Sequence, residues 1–320
     1  MKLSTFTADF GNFELKYLDS AGQPRAIRSI HFRLPRGVNA LKAYENSPVI
    51  EANGTRYHFG TQANKYSSHE KTVVADKALL ARLHLYACIS ATEGSFKLVL
   101  SHHSPDLVAD DLRKALIARH QFTRNGKQHD ITVKAVEVVH EGLGAYWAAK
   151  QAGFVPPTGH TILIDLGGGT WLSRVIDSDG EIIASNVADR MGAYALASQI
   201  AHDSRLKDGL RRFGITSPDP GVVMDGFTRG HVYAETGVSW GLWLDEYLDG
   251  WFKNIFAQIR ADYTNQLPYT RRFIICGGGA HLVAHKLTGK EAFVVMPQPN
   301  YSNVIGMAEH YTQTQLQAVA

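Results

Sequence analysis

Along its N-terminal part the chain alternates apolar and polar positions with the period of half-buried strands. Residues 4–8, 13–18 and 25–32 read as a meander, with turns at Asp9-Phe10-Gly11-Asn12 and Asp19-Ser20-Ala21-Gly22. Residues 49–52 and 55–59 flank Asn53-Gly54, a pair suited to a type I′ hairpin turn. The period then changes: over 76–91, Leu79, Leu80, Leu83, Ala87 and Cys88 recur at helical spacing. Residues 96–100 are apolar without interruption, as in a strand covered on both faces. A helix is predicted over 105–120, and Asn125-Gly126 joins a second hairpin made by 122–123 and 131–139. A further helix over 142–152 is closed by Gly153, and Pro156-Pro157 marks a lobe boundary.

Beyond the boundary the same grammar restarts. Residues 161–166, 171–176 and 181–187 read as strands, separated by Gly167-Gly168-Gly169-Thr170 and Ser178-Asp179-Gly180. Strand, aspartate-containing glycine turn, strand, turn, strand therefore occurs twice, as architecture and not as repeated sequence. Helical patterns fill 192–212 and 242–266, and 273–276 is a buried strand running into Gly277-Gly278-Gly279, with a helix expected from His281.

Three of these segments carry candidate chemistry. In Asp9-Phe10-Gly11-Asn12, the glycine lets backbone N–H groups approach a phosphate with no Cβ in the way. The aspartate at the strand end can hold Mg²⁺ through water. Taken singly this is a weak signal, since Asp-x-Gly turns are common in plain hairpins. In Asp165-Leu166-Gly167-Gly168-Gly169-Thr170 the device is repeated, now with three glycines whose entropic cost has no evident structural return. Ile274-Ile275-Cys276-Gly277-Gly278-Gly279-Ala280 is the third, where missing side chains would let an adenine or ribose lie on the backbone. The triple glycine lacks G-x-G-x-x-G spacing, and no G-x-x-x-x-G-K-[ST] occurs, so dinucleotide and P-loop chemistry drop away.

In this order and spacing the three segments resemble those of the actin-like ATPase superfamily, over essentially the whole chain. Asp9-x-Gly11 looks like its first phosphate motif, Asp165 to Thr170 its second, and Gly277-Gly278-Gly279 its adenosine motif. His140-Glu141-Gly142-Leu143-Gly144 and Asn303-Val304-Ile305-Gly306-Met307 are similar to its two connecting helices. Within the superfamily the chain is most similar to the bacterial plasmid-segregation actins of the ParM type. The supports are its length, the Asp9 to Lys16 opening and Glu141 before the first connecting helix.

The resemblance implies an α/β, actin-like (ribonuclease H-like), two-lobed ATPase fold with a central nucleotide cleft. Lobe I would comprise 1–158 with 303–320, and lobe II 159–302. It implies an ATPase using ATP/ADP and Mg²⁺, with Glu141 orienting the attacking water and Asp9 and Asp165 holding the metal through its waters. Gly11, Asn12, Gly167, Gly168, Gly169 and Thr170 would bind phosphate, and Gly277, Gly278 and Gly279 the adenosine. Lys16 reads equally as a cation for phosphate and as a solvated strand residue. The implied partners are further copies of the chain in a nucleotide-dependent filament and a centromere-binding adaptor. DNA would be engaged only indirectly, in plasmid segregation. The alternative is a non-polymerising small-molecule kinase of the same superfamily, for which Asp106 offers a carboxylate without the expected surroundings. A heat-shock-type chaperone would need a peptide-binding domain, for which no room is expected before Ala320.

Composition narrows this only modestly. The 44% hydrophobic and 20% charged fractions are those of an ordinary globular protein. A charge of +3, from 33 basic and 30 acidic side chains, is too small to argue for direct nucleic-acid binding. No membrane-length apolar run and no secretory signal are read, so a cytoplasmic protein is expected, with Cys88 and Cys276 as buried thiols in preference to a disulfide. His281 and His285 lack the zincin pattern and a third ligand, and His102-His103 reads as a solvated loop. Trp240, Trp243, Trp251 and Phe252 recur at helical spacing and read mostly as core.

Overall fold

The computed structural model describes residues 3–66 and 77–319, which divide into two compact units. Unit 1 comprises Met1–Gln151 and Tyr301–Ala320, and unit 2 Ala152–Asn300.

Unit 1 opens with the expected meander: β1 (Leu3–Phe10), β2 (Glu14–Leu18) and β3 (Pro24–Arg28), followed by β4 (His31–Leu34). The strand expected over 25–32 is thus two strands. They lie at opposite edges of a nine-stranded sheet, yet only Ser29 and Ile30 separate them. Three peptide units span at most ~11 Å, so the sheet curls until its two edges meet at that corner. The Asn53-Gly54 hairpin forms as expected between β5 (Val49–Ala52) and β6 (Thr55–Phe59), with φ of 50° and 71° at the turn.

The helix expected over 76–91 is α1 (Lys77–Cys88), Asp76 lying outside the described residues. Then come β7 (Glu93–His102), α2 (Pro105–Leu116), β8 (Arg119–Arg124), β9 (Lys127–His140) and α3 (Leu143–Gln151). The helix expected to reach 120 stops at Leu116 because Arg119–Arg124 pairs with both β9 and β5. The sheet order is β3-β2-β1-β7-β9-β8-β5-β6-β4, with β1, β7 and β9 parallel.

Unit 2 repeats the opening. β10 (His160–Leu166), β11 (Thr170–Ile176) and β12 (Ile182–Asp189) form a second meander. The pattern expected over 192–212 is two helices, α4 (Ala193–His202) and α5 (Ser204–Arg211). They break at Asp203, whose carboxylate caps α5 by accepting from the Arg205 amide at 2.7 Å. A short helix not read from the sequence, α6 (Pro220–Gly226), precedes α7 (Leu244–Asp262). In this region Trp240 and Trp251 are buried, while Trp243 is capped by the Arg205 guanidinium at 4.3 Å. The unit continues through β13 (Thr270–Cys276), α8 (Ala280–Leu287) and β14 (Phe293–Val295), with order β12-β11-β10-β13-β14. Antiparallel, antiparallel, parallel is the run from β12 to β13, as it is from β3 to β7.

The last helix, α9 (Ser302–Val319), belongs to unit 1. Side chains of β7 explain its place. Phe96, Leu98 and Leu100 pack with α1 and α2, whereas Val99 points the other way onto Val304, Met307 and Tyr311 of α9. Two glycines let α9 and α3 touch backbone to backbone. A Cβ on Gly144 would enter the Asn303 carbonyl, and one on Gly306 the Gly144 carbonyl. Farther along α9, the Tyr311 hydroxyl donates to Glu137, which also pairs with Lys97 at 2.6 Å. Burial would raise the Glu137 pKa, but Lys97 and Tyr311 hold it below its usual range.

Gly306→Val is expected to destabilise unit 1 by roughly 1–3 kcal/mol, the usual cost of overpacking a close contact. Urea denaturation reads the effect, and an unchanged midpoint would show that the two helices can part without loss.

Candidate functional site

Both glycine turns are built to one plan. In the first hairpin Phe10 pairs with Leu15 and Asp9 with Lys16; in the second Leu166 pairs with Trp171 and Asp165 with Leu172. A Cβ on Gly11 would come within 2.6 Å of the Glu14 carbonyl oxygen, and one on Gly167 within 2.6 Å of that of Thr170. Each turn therefore needs its first glycine, and each is rooted on a buried aspartate two residues before it.

The carbonyls of both turns are held from outside. In the first, Ser29 donates its hydroxyl to the Asn12 carbonyl and its amide to the Phe13 carbonyl at 3.1 Å. In the second, the amides of Gly192, Ala193 and Tyr194 donate to the carbonyls of Gly169 (3.3 Å), Gly167 (3.0 Å) and Gly168 (2.8 Å). In a planar trans peptide the C=O of one residue and the N–H of the next point in opposite directions. Holding the Asn12 carbonyl thus aims the Phe13 amide away from Ser29. Holding those of Gly167 and Gly168 aims the Gly168 and Gly169 amides away from α4. Among the described residues these three amides have no acceptor, and the buried Oδ1 of Asn12 has no hydrogen-bond partner. N–H groups left without an acceptor in a turn of this kind can line a concavity for an anion, and each turn presents its own.

The third glycine motif is fastened to the second turn. Gly277 has φ +87°, and a Cβ there would enter the Asp165 carboxylate and come within 2.6 Å of the Leu166 carbonyl oxygen. The Gly279 amide donates to that same carbonyl at 2.7 Å, and the Gly277 amide to Pro299 at 2.7 Å. Gly277 and Gly279 thus make room for the chain itself, while Gly278 lies beside Asn300 Oδ1. Asp165 pairs in register with Cys276, so both motifs stand at the C-terminal edge of parallel strands, where α/β sheets bind ligands.

In unit 1 the same edge carries Asp9, Ser101 and Val139 in one row across β1, β7 and β9. Glu141 follows two residues on, half-buried, its amide bonded to the His102 carbonyl at 2.8 Å. Asn303 fixes this edge from α9, donating to the Ser101 hydroxyl at 3.0 Å and accepting from the Gly144 amide at 3.1 Å. Lys16 is half-buried and shares the cross-strand position of Asp9.

Some expectations change. His102 is not in a solvated loop: it ends β7, paired with His140, buried, its ring 4.2 Å from that of His103 and tilted to it by 30°. Its Nδ1 accepts from the Ser104 amide. His285 lies 3.3 Å from Asp245. Cys88 and Cys276 are buried and form no disulfide, as read, and burial pushes the Cys88 thiol far up. Sequence reasoning missed Ser29 and Gly192, the residues that hold the two turns. Ser29 lies in an expected strand, and Gly192 is one glycine at a helix start.

Similarity to known proteins can be set beside this geometry. The family model described as the N-terminal domain of actin-like proteins matches residues 7–144. No curated protein matches the chain. Among solved structures, an archaeal actin homologue in complex with ADP aligns with a TM-score of 0.77 at 15% identity, covering 97% of this chain and all of the other. The apo ParM protein of psk41 aligns over both whole chains with a TM-score of 0.69 at 15% identity. A ParM from a 15-stranded filament of Clostridium botulinum aligns with a TM-score of 0.75 at 15% identity, covering 98% and 100%. The fold is therefore the actin-like one, as the motifs implied, and the resemblance to ParM-type proteins holds across the whole chain.

Gly192→Ala would set a methyl 2.7 Å from three atoms of the second turn, with an expected loss of roughly 1–3 kcal/mol. Gly169→Ala, whose methyl meets nothing within 4 Å, is the control. Equal melting temperatures for the two variants would remove Gly192 as the support of the turn.

Proposed function

Starting from an actin-like fold, we propose that the chain binds Mg-ATP through its two glycine turns, hydrolyses it and polymerises with other copies of itself. The observation that carries this reading is the turn built twice, with its carbonyls held back and its amides directed away from the support. Phosphate would be bound by Gly11, Asn12, Gly167, Gly168, Gly169 and Thr170, with Lys16 adding charge, and adenosine by Gly277, Gly278 and Gly279. The adenosine role gains support from the backbone bond that fastens Gly279 to the root of the second turn.

Asp9 and Asp165 suit Mg²⁺ by chemistry. They are hard carboxylate donors, 4% and 8% exposed, each at the root of a turn. When bound, the ion would neutralise charge on the transferred phosphoryl group. Glu141, held at the end of β9 by its amide bond to His102, would orient the attacking water. Its carboxylate is half-buried and follows the strand row that carries Asp9.

Polymerisation is supported by likeness to a ParM solved as a filament. As in the plasmid-segregation actins, the filament would move DNA through a centromere-binding adaptor, in the cytoplasm and without touching DNA itself. Among the described residues no helix is long and apolar enough to cross a membrane.

Light scattering and phosphate release, followed together after adding Mg-ATP, test the reading. A rise in scattering that decays as phosphate appears is the expected result. Phosphate release with flat scattering at tens of micromolar protein would contradict polymerisation. Glu141→Ala should keep ATP binding while turnover falls ~10²-fold; unchanged release would remove it from the mechanism. Asp165→Ala should weaken binding that depends on Mg²⁺, and retained Mg-ATP affinity would contradict the metal role.

A further inference from the structure

The two turns share a register but not a charge. Lys16 stands across from Asp9 in the first hairpin, whereas the equivalent place across from Asp165 is Leu172. A polyphosphate held by the second turn would therefore meet amides but no cation at the place that Lys16 takes in the first hairpin.

The segment that backs this turn carries one. Strand β12 ends at Asp189, whose register partner is Thr170 of the turn, and three residues on the Gly192 amide bonds the Gly169 carbonyl. Arg190 is thus bracketed by residues that touch the turn on both sides. Its φ is +61°, a left-handed conformation that an arginine seldom adopts. Asn53 and Asn125 share that conformation as the first residues of Asn-Gly hairpin turns, where it is ordinary; Arg190 has no such turn.

Its neighbours impose it. The Trp251 indole N–H donates to the Met191 carbonyl at 2.9 Å, and the Gly192, Ala193 and Tyr194 amides are spent on the turn. Backbone strain held in place by over-determined surroundings gathers at ligand clamps. Among the described residues the exposed Arg190 guanidinium has no ion pair or hydrogen bond, and neither does the exposed carboxylate of Asp189 before it.

We propose that Arg190 is a phosphate-binding residue, supplying to the second turn the cation that Lys16 would supply to the first. A planar guanidinium can grip two phosphate oxygens at once, beside amides that bind a third. The inference rests on the reading that the second turn holds a nucleotide, and it adds a residue to that site.

Strain and charge can be separated. Arg190→Asn and Arg190→Gly both accept the left-handed backbone and both remove the cation. Titration of each with a fluorescent ADP analogue and Mg²⁺ should give a Kd raised by about tenfold or more, as expected for losing a charged hydrogen-bond partner. The salt dependence of binding should weaken with it. Arg190→Lys should fall between these variants and the wild type, and Asp189→Asn should bind at least as tightly as the wild type. Melting without nucleotide should be unchanged or raised in the asparagine and glycine variants, since strain is relieved. Affinities within about twofold of wild type in both variants would overturn the role of Arg190 alone. Absence of analogue binding by the wild type would overturn the nucleotide reading first, and the inference with it.

Discussion

Everything distinctive in this molecule follows from the planarity of the trans peptide. A turn of small residues is conformationally free, and freedom is a poor basis for binding. Once the carbonyls of such a turn are bonded on one side, the following amides are directed to the other. Ser29 does this for the first turn with one hydroxyl and one amide, and the start of α4 does it for the second with three amides. The means differ in chemistry and in sequence distance, yet each directs amides away from its support, one in the first turn and two in the second.

The rest of each unit serves to hold that arrangement still. In unit 1 the close crossing of α3 and α9, allowed by Gly144 and Gly306, lets Asn303 tie the end of β7 to the start of α3. Glu141 is carried on the same edge by its amide bond to β7. In unit 2 the Gly277–Gly279 segment is pressed against Asp165 and Leu166, so one strand end anchors both motifs. Pre-placed groups of this kind need little reorganisation when charge arrives.

What could be read from the sequence, and what could not, divides along the range of the interactions. The Asn-Gly hairpins and the two aspartate-glycine turns are local: the positive φ of the first, the close turn carbonyls of the second and the strand periods of both are written in neighbouring residues. The doubled meander was legible for the same reason. Long-range pairing decided the misreadings. Residues 25–32 look like one strand, but Ser29 is taken up by the first turn and β4 pairs at the far edge of the sheet. Residues 117–120 look helical until β9 claims Arg119 and His120 as ladder partners, and His102 looks like loop until His140 pairs with it. Gly192 carried a faint signal, a glycine at a helix start with φ of −69°, where no positive φ demands one. Its reason is three atoms of a turn more than twenty positions away, which no local pattern contains.

The most direct test of the account is a backbone amide NMR titration of the ¹⁵N-labelled protein with Mg-ADP. The amides of Phe13, Gly168 and Gly169 should shift together and slow in exchange, while those of Ser29, Ala193 and Tyr194, already bonded to the turns, should move little. Large shifts elsewhere with Phe13, Gly168 and Gly169 unmoved would show that the turns do not hold the phosphate.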